Sequence, residues 1–187
     1  MTDWSEAPPM DLVLRKVVIE LESHAASSGW DQPGRLFALV DTADLIAREP
    51  DLAKAMGLPA DDDGLSAVEQ DELPTAALEE ALTQIVWPPE VAGCAVVVER
   101  FVLPPTVEAE IPADDAEALA FAAAHPDRQE VRIVAGVTRA GSTFCALRMR
   151  AHDDEFSVLE GQDLVPSLLE LLLTTLVPEP QADRQDT

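Results

Sequence analysis

Three arginines in one short stretch carry the most distinctive chemistry of the sequence. Arg132, Arg148 and Arg150 occur within EVRIVAGVTRAGSTFCALRMRAHDDE, the segment from 130 to 155. Each guanidinium presents a planar fork of N–H donors that matches a carboxylate or a phosphate. Two interpretations follow from this pattern. The arginines pair with carboxylates of the same chain, such as Glu99, or they form a docking face for a carboxylate-bearing or phosphorylated partner.

The same segment ends in His152 followed by three acidic residues, a composition that can hold a metal ion. Consecutive residues of a strand alternate between its faces, so these side chains do not converge on one ion without distant partners. The acidic stretch PADDDGLSAVEQ (59–70) has a proline and a glutamine at the two anchoring positions of a calcium loop, where carboxylates are needed. We therefore predict no metal and no cofactor.

No group of residues forms a recognisable catalytic site. Cys94 and Cys145 lie in apolar, strand-like runs, where a thiol is buried and unreactive. The three histidines are scattered, tyrosine is absent, and neither a nucleophile elbow, a phosphate-binding loop nor a zinc-protease motif occurs. HPDR (125–128) resembles a co-chaperone tripeptide, but a strand follows it directly, so we interpret it as a turn. These features favour a non-catalytic protein.

The segment GWDQPGRLFALV (29–40) contains the remaining ligand candidates. Trp30, Asp31 and Arg35 flank a turn that follows the first predicted helix. A tryptophan next to an aspartate in a loop can form the floor of a small-molecule pocket. The alternative is that Trp30 covers the edge of the core and Asp31 shapes the turn. Both interpretations stay open at this level.

The register of the predicted hairpin decides which of these side chains face the core. A two-residue loop would mix apolar and charged residues on both faces. A three-residue loop, Arg139-Ala140-Gly141, with Gly141 in the left-handed conformation, separates the two kinds. One face then holds Val131, Ile133, Ala135, Val137, Thr143, Cys145, Leu147 and Met149. The other face, which we expect to point outward as the recognition surface, holds Arg132, Val134, Gly136, Phe144, Ala146, Arg148 and Arg150.

Composition limits the partners that this chain can bind. It has 187 residues and a formal net charge of −24 at pH 7. The negative electrostatic field of a chain with this charge repels nucleic acid and anionic membrane surfaces, so we predict neither as a partner. The most apolar run, 164–177, is shorter than the ~20 residues of a membrane span, and the N-terminal residues lack the pattern of a signal peptide. Together with the sparse cysteines, this predicts a soluble cytoplasmic protein.

Periodicity and capping signals predict one α+β domain over 10–177, with flexible tails at 1–9 and 178–187. We expect one mainly antiparallel sheet of about four strands, layered against helices. The acidic loop from 59 to 74 is expected to stay mobile. The predicted helices span 10–28, the region after Asp41, a short segment from Pro50, 74–87, 112–126 and 164–176, and either Asp41 or Thr42 can cap the second of them. The predicted strands are 35–40, 93–103 and the two arms of the hairpin. The unbroken apolar core of 93–103 predicts an interior strand that is covered on both faces.

Four segments together resemble a known family. They are GWDQPGRLFALVDTADL, VAGCAVVVERFVLPP, AAAHPDRQEVRIVAGVTRAG and CALRMRAHDDE. The chain is similar over roughly 10–177 to a family of actinobacterial proteins of about this length with no established function. The resemblance implies a bacterial cytoplasmic protein and brings no catalytic residue or ligand with it.

Two hypotheses about function remain. The first is a non-catalytic binding or adaptor protein that contacts a protein partner or a second copy of itself. It would use the arginine-bearing sheet face and the leucine-rich last helix, with Leu168, Leu172 and Leu176 at the interface. The second is a small-anion-binding protein or an enzyme with a pocket near Trp30, Arg132 and Arg148.

Overall fold

The computed structural model describes residues 11–70 and 78–178. The predicted tails therefore lie almost entirely outside the described residues, as does the start of the helix predicted at 74–87.

The helices are α1 (Leu12–Ser27), α2 (Thr42–Arg48), α3 (Pro50–Ala55), α4 (Leu78–Thr83), α5 (Asp115–Ala124) and α6 (Pro166–Thr175). The strands are β1 (Arg35–Asp41), β2 (Leu65–Glu69), β3 (Val91–Val102), β4 (Gln129–Thr138), β5 (Thr143–Met149) and β6 (Leu159–Gly161). Short 3-10 helices occur at Pro105–Glu110, Arg150–His152 and Glu155–Ser157.

The strands form one antiparallel sheet in the order β2-β1-β3-β4-β5-β6, so the fold is α+β as predicted. The expected number of about four strands is wrong, because the sheet has six strands among the described residues. The two missed strands are its edges. β2 lies inside the acidic stretch that was predicted to be a mobile loop, and β6 has only three residues. Edge strands this short and polar give too little alternation for sequence patterning to detect.

The hairpin between β4 and β5 has the predicted register. Ile133 pairs with Leu147, and Arg132 pairs with Arg148 on the opposite face. The backbone N–H of Thr138 donates to the carbonyl of Ser142 at 3.0 Å, which closes a three-residue loop. Gly141 has a φ of 87°, which is the left-handed conformation that glycine adopts more readily than residues with a side chain.

Helix α1 covers one face of the sheet. Asp11 caps it, because its carboxylate accepts from the backbone N–H groups of Val13 and Leu14 at 3.1 and 3.0 Å. The helix lies close to β4: a Cβ added at Gly136 would meet the side chain of Val18 at 2.8 Å. Its apolar side packs on Phe37, Leu39, Ala95, Val97, Val134, Phe144 and Ala146. The arginine-bearing face of the hairpin is therefore under a helix, and the prediction that it is an open surface is wrong.

Helices α4 and α6 cover the other face of the sheet. β3 runs between the two layers with most of its side chains buried, as its unbroken apolar sequence predicted. Leu172 and Leu176 are 0% and 4% exposed and pack against this face. The two leucines predicted at an interface therefore belong to the core. The continuous apolar surface of the last helix is used by the sheet beneath it and by α4 beside it.

Candidate functional site

Arg132 lies at the centre of β4 and is 1% exposed. Its Nη2 donates to Glu99 Oε1 at 3.1 Å and also to the carbonyl of Gly29. The guanidinium stacks on the ring of Trp30, with 4.3 Å from Cζ to the ring centroid. The pairing with Glu99 is the internal interpretation that the sequence left open. Burial of this depth removes Arg132 from contact with any partner.

Arg148, the neighbour of Arg132 across the hairpin, is 6% exposed and paired at two points with Glu22 of α1. The distances are 2.6 Å from Nε to Oε1 and 2.9 Å from Nη2 to Oε2. Its Nη1 also donates to Asp153 Oδ1 at 3.3 Å. Hydrogen bonding to Glu22 raises the pKa of Arg148 above its already high ordinary value. The pair ties β5 to the helix above it.

Arg150 closes the same group of charges at the surface. Its Nη1 and Nη2 donate to the two carboxylate oxygens of Asp31 at 2.9 and 3.0 Å, and Nη1 also donates to Glu130 Oε2 at 2.5 Å. Hydrogen bonds from Arg150 lower the pKa of Asp31 below its ordinary value. The Arg150 guanidinium lies 5.6 Å from the Trp30 ring centroid, so both Arg132 and Arg150 lie close to the indole.

Trp30 sits in a turn that the carboxylate of Glu99 holds in place. Glu99 Oε2 accepts from the backbone N–H groups of Asp31 and Gln32 at 2.8 and 3.3 Å. Asp31 has a φ of 63°, a conformation that aspartate tolerates better than most residues. The indole N–H of Trp30 donates to Asp153 Oδ2 at 2.8 Å. Asp153 thereby joins Trp30 to Arg148 and fixes the start of the segment after β5.

We call this group the Trp30 cluster. It comprises Trp30, Arg132, Arg148 and Arg150 with the carboxylates of Glu22, Asp31, Glu99, Glu130 and Asp153. Five carboxylates surround three guanidinium groups, so the cluster is negatively charged overall. Each arginine already has a carboxylate of this chain within hydrogen-bond distance. A small anion that approaches these arginines meets the net negative charge of the cluster, which opposes its binding.

Two of the predicted site residues lie outside the Trp30 cluster. Arg35 is in β1, where its Nε is 3.9 Å from Glu69 Oε1 and its guanidinium lies over the ring of Phe37. Phe144 is 1% exposed and packs under α1. The third of the predicted interface leucines, Leu168, is half-buried and lines a cleft of about 320 Å³ with Val98 and Ile133.

The thiols and the histidine-acid segment offer little chemistry. Cys94 and Cys145 are both fully buried. Burial raises the pKa of Cys94 to about 11 and also raises the pKa of Cys145, which suppresses the thiolate that a nucleophile needs. Over 11–70 and 78–178, histidine, cysteine and acidic side chains nowhere gather in a group of three that could hold a metal ion. Within the same ranges, every helix is too short or too polar to cross a membrane.

Sequence reasoning missed two residues that matter for the arrangement. Arg139, in the hairpin loop, donates to the carbonyls of Val91, Trp87 and Pro88 at 2.7, 3.1 and 2.8 Å, and to that of Leu176. It joins the loop to the end of α6. Glu22 was missed because the sequence does not show which face of the sheet helix α1 covers. Its spacing with Leu14, Val18 and Leu21 on the inner side of α1 was the available signal.

The segment after Asp153 carries the most exposed large apolar residue among those described. Phe156 is 90% exposed in the 3-10 helix Glu155–Ser157. Asp154 fixes this turn, since its carboxylate accepts from the backbone N–H of Phe156 at 3.0 Å and from the hydroxyl of Ser157 at 2.7 Å. These bonds lower the pKa of Asp154. Beside Phe156 is a cleft of about 420 Å³, lined also by Ile19, Glu22, Arg148, Glu155, Val158 and Glu160.

Comparison with known proteins adds the family of the chain. Neither the curated proteins nor the solved structures include a match. A family model described as PPA1309-like protein matches residues 14–177, from the first turn of α1 to the residues just after α6. The chain therefore belongs to the family of PPA1309-like proteins.

Proposed function

We propose that this protein is a non-catalytic binding protein that holds an apolar, positively charged segment of a partner protein in the cleft beside Phe156. The observation that carries the proposal is a phenylalanine that is 90% exposed on a segment fixed by several hydrogen bonds. An aromatic side chain held in water on an ordered turn is typical of a contact residue. We name this surface, with the cleft of about 420 Å³ next to it, the Phe156 cleft.

Charge specifies the chemistry of the partner. Glu22 in the cleft is neutralised by Arg148, and Glu160 is paired with Arg15 at 2.7 Å. Glu155, which also lines the cleft, is exposed and adds a negative charge to its rim. The whole chain carries a net charge of −24, which attracts cationic partners and repels acidic ones. The apolar walls, Ile19 and Val158, favour an apolar side chain at the centre of the bound segment.

The Trp30 cluster supports the proposal indirectly. Its arginines bind internal carboxylates, and Asp153 connects them to the segment that carries Phe156. We therefore assign the cluster the role of positioning that segment and do not propose binding by the arginines themselves. Anion binding near Trp30, Arg132 and Arg148 finds no support in a cluster with more carboxylates than guanidinium groups. We place the protein in the cytoplasm, on the grounds of its two buried thiols and its composition.

Selection from a displayed library of random peptides tests the proposal, because the library presents many combinations of apolar and cationic residues to the cleft. We expect the peptides retained by the wild-type protein to share an apolar residue flanked by lysine or arginine. Their affinity should fall about 30-fold for Phe156→Ser, as for a central aromatic contact worth about 2 kcal/mol. Glu155→Lys should also weaken binding, and the loss of affinity should be larger at low salt than at high salt, because salt screens exposed charges.

The matched control is Leu12→Ser, which removes an apolar side chain that is 71% exposed at the far end of α1. This variant should bind the selected peptides as the wild type does. Peptides with no common cationic pattern, or an affinity that Phe156→Ser leaves unchanged, would overturn the proposal.

A further inference from the structure

Strand β6 is an edge of the sheet that carries exposed apolar surface. It pairs with β5 on one side and is the last strand in the order β2-β1-β3-β4-β5-β6. Leu159 of β6 is 58% exposed, and Phe156 lies three residues before it. The other edge strand, β2, has no exposed large apolar side chain among its described residues, Leu65–Glu69. An edge strand offers backbone N–H and C=O groups that can pair with a further strand.

The hydrogen bonds of the hairpin show which backbone groups of β6 face outward. Thr138 and Ser142 form a hydrogen-bonded pair, so every second residue of β5 counted from Ser142 bonds to β4. The residues between them turn their backbone groups towards β6, where they pair with Leu159 and Gly161. Glu160 lies between these two residues, so its N–H and C=O point away from β5, to the free edge.

The side chains of β6 divide between the two faces of the sheet. Glu160 pairs with Ala146, so it lies on the face that α1 covers, where it lines the Phe156 cleft and pairs with Arg15. Leu159 lies on the opposite face, because successive side chains of a strand alternate. A strand added beside β6 would therefore place the residue opposite Glu160 at the Phe156 cleft and the next residue beside Leu159.

We propose that the partner segment binds as an extended strand added to the free edge of β6, an inference that rests on the function proposed above. The residue opposite Glu160 exchanges two hydrogen bonds with its backbone and directs an apolar side chain into the Phe156 cleft. Residues two positions away lie on the same face, where Glu155 at the rim of the cleft favours lysine or arginine. Because β6 has only three residues, side chains supply most of the affinity and the backbone bonds fix the register.

Two peptides of equal composition test the extended conformation. The first has a central phenylalanine with valine on each side and lysine two positions away in both directions, and the second has the valines and lysines exchanged. In a strand, only the first peptide places the phenylalanine and both lysines on one face. We expect the wild-type protein to bind the first peptide about tenfold more tightly than the second. This binding should weaken in Phe156→Ser and stay unchanged in Leu12→Ser.

The two peptides also separate this inference from the function on which it rests. If Phe156→Ser weakens binding but the first peptide binds no more tightly than the second, the added strand is wrong and the Phe156 cleft remains the binding site. Binding that does not depend on Phe156 would overturn the proposed function and the added strand together.

Amide hydrogen exchange at single residues tests the backbone bonds. In the free protein, the amide of Glu160 should exchange faster than those of Leu159 and Gly161, which face β5, and the first peptide should slow it about tenfold. N-methylation of the central phenylalanine removes the N–H that donates to the carbonyl of Glu160, so the affinity should fall about tenfold. N-methylation of either valine, whose N–H points to solvent, should change the affinity little. Exchange at Glu160 that stays fast in the complex, or equal losses from all three N-methylations, would contradict the added strand.

Discussion

Arg148 of β5 and Glu22 of α1 form a two-point ion pair at 2.6 and 2.9 Å between a helix and the sheet it covers. Both residues are buried, so the pair lies between two layers of the core and not on a surface. The same guanidinium reaches Asp153, at the start of the segment that carries Phe156. One arginine therefore connects the packing of α1 to the position of an exposed aromatic residue.

Replacing Glu22 by glutamine should destabilise the protein by about 3 kcal/mol, because the buried guanidinium of Arg148 then keeps only Asp153, at 3.3 Å, as a counter-ion. The double variant Glu22→Leu, Arg148→Met removes both charges and should recover most of this loss. Urea unfolding of the two variants and the wild type measures the difference. Equal destabilisation by the single and double variants would show that loss of packing, and not an unpaired charge, sets the cost.

Arg139→Ala should destabilise the protein by about 2 kcal/mol. The lost guanidinium donates hydrogen bonds to four backbone carbonyls, three between Trp87 and Val91 and one at Leu176, just after α6. Arg139→Lys keeps the charge but not the planar fork, so it should recover less than half of the loss. Chemical unfolding gives both values. A cost below about 0.5 kcal/mol for the alanine variant, the range of ordinary surface changes, would contradict this role.

The pairing of Asp31 with Arg150 should appear in the pH dependence of stability. The pKa of Asp31 is lowered in the folded protein from an ordinary value of 3.8, so its contribution is present above 3.8 and is lost as the pH falls through the folded pKa. The wild type should exceed Asp31→Asn in unfolding free energy by a constant amount at neutral pH, and the gap should close below 3.8. In an Arg150→Gln background the difference in unfolding free energy should no longer depend on pH in this range, because the hydrogen bond that lowers the pKa of Asp31 is gone.

Neither thiol should react with a disulfide reagent in the native state at pH 8. Cys94 and Cys145 are fully buried, and a pKa of about 11 leaves little thiolate on Cys94. Both should react at once in denaturant, and native labelling should proceed only at the rate of unfolding. Rapid modification of one thiol in the native protein would contradict the buried assignment of that cysteine.

The features that sequence predicted well are those governed by local chemistry. Gly141 and the separation of apolar from charged residues determined the hairpin register, and the structure confirms it. Asp41 or Thr42 was predicted to cap the helix after β1, and the structure has Asp41 as the cap, since its carboxylate accepts from the backbone N–H of Asp44 at 3.2 Å. The unbroken apolar run of β3 predicted a strand between two layers, which is its position.

The errors concern which element covers which surface. Alternation shows that Arg132 and Arg148 share a face, but it does not reveal that α1 supplies Glu22 to that face. The leucines of the last helix were assigned to an interface for the same reason. The sequence of an apolar helix side is the same whether the sheet of its own domain or a partner protein covers it. These choices depend on contacts between residues far apart in the sequence, such as Glu22 and Arg148 or Cys94 and Leu172, which local patterns do not encode.

The central claim is that the Trp30 cluster positions the segment that carries Phe156. Asp153→Ala tests it most directly, since it removes the bonds from Trp30 and Arg148 and leaves the buried pair with Glu22 in place. Amide hydrogen exchange over 154–157 should accelerate about tenfold, as expected for the loss of about 1.4 kcal/mol of local stability, while α1 and β4 stay protected. Glu155→Ala, a change on the same turn, should leave the exchange rates unchanged. Unaltered exchange over 154–157 in Asp153→Ala would contradict the claim.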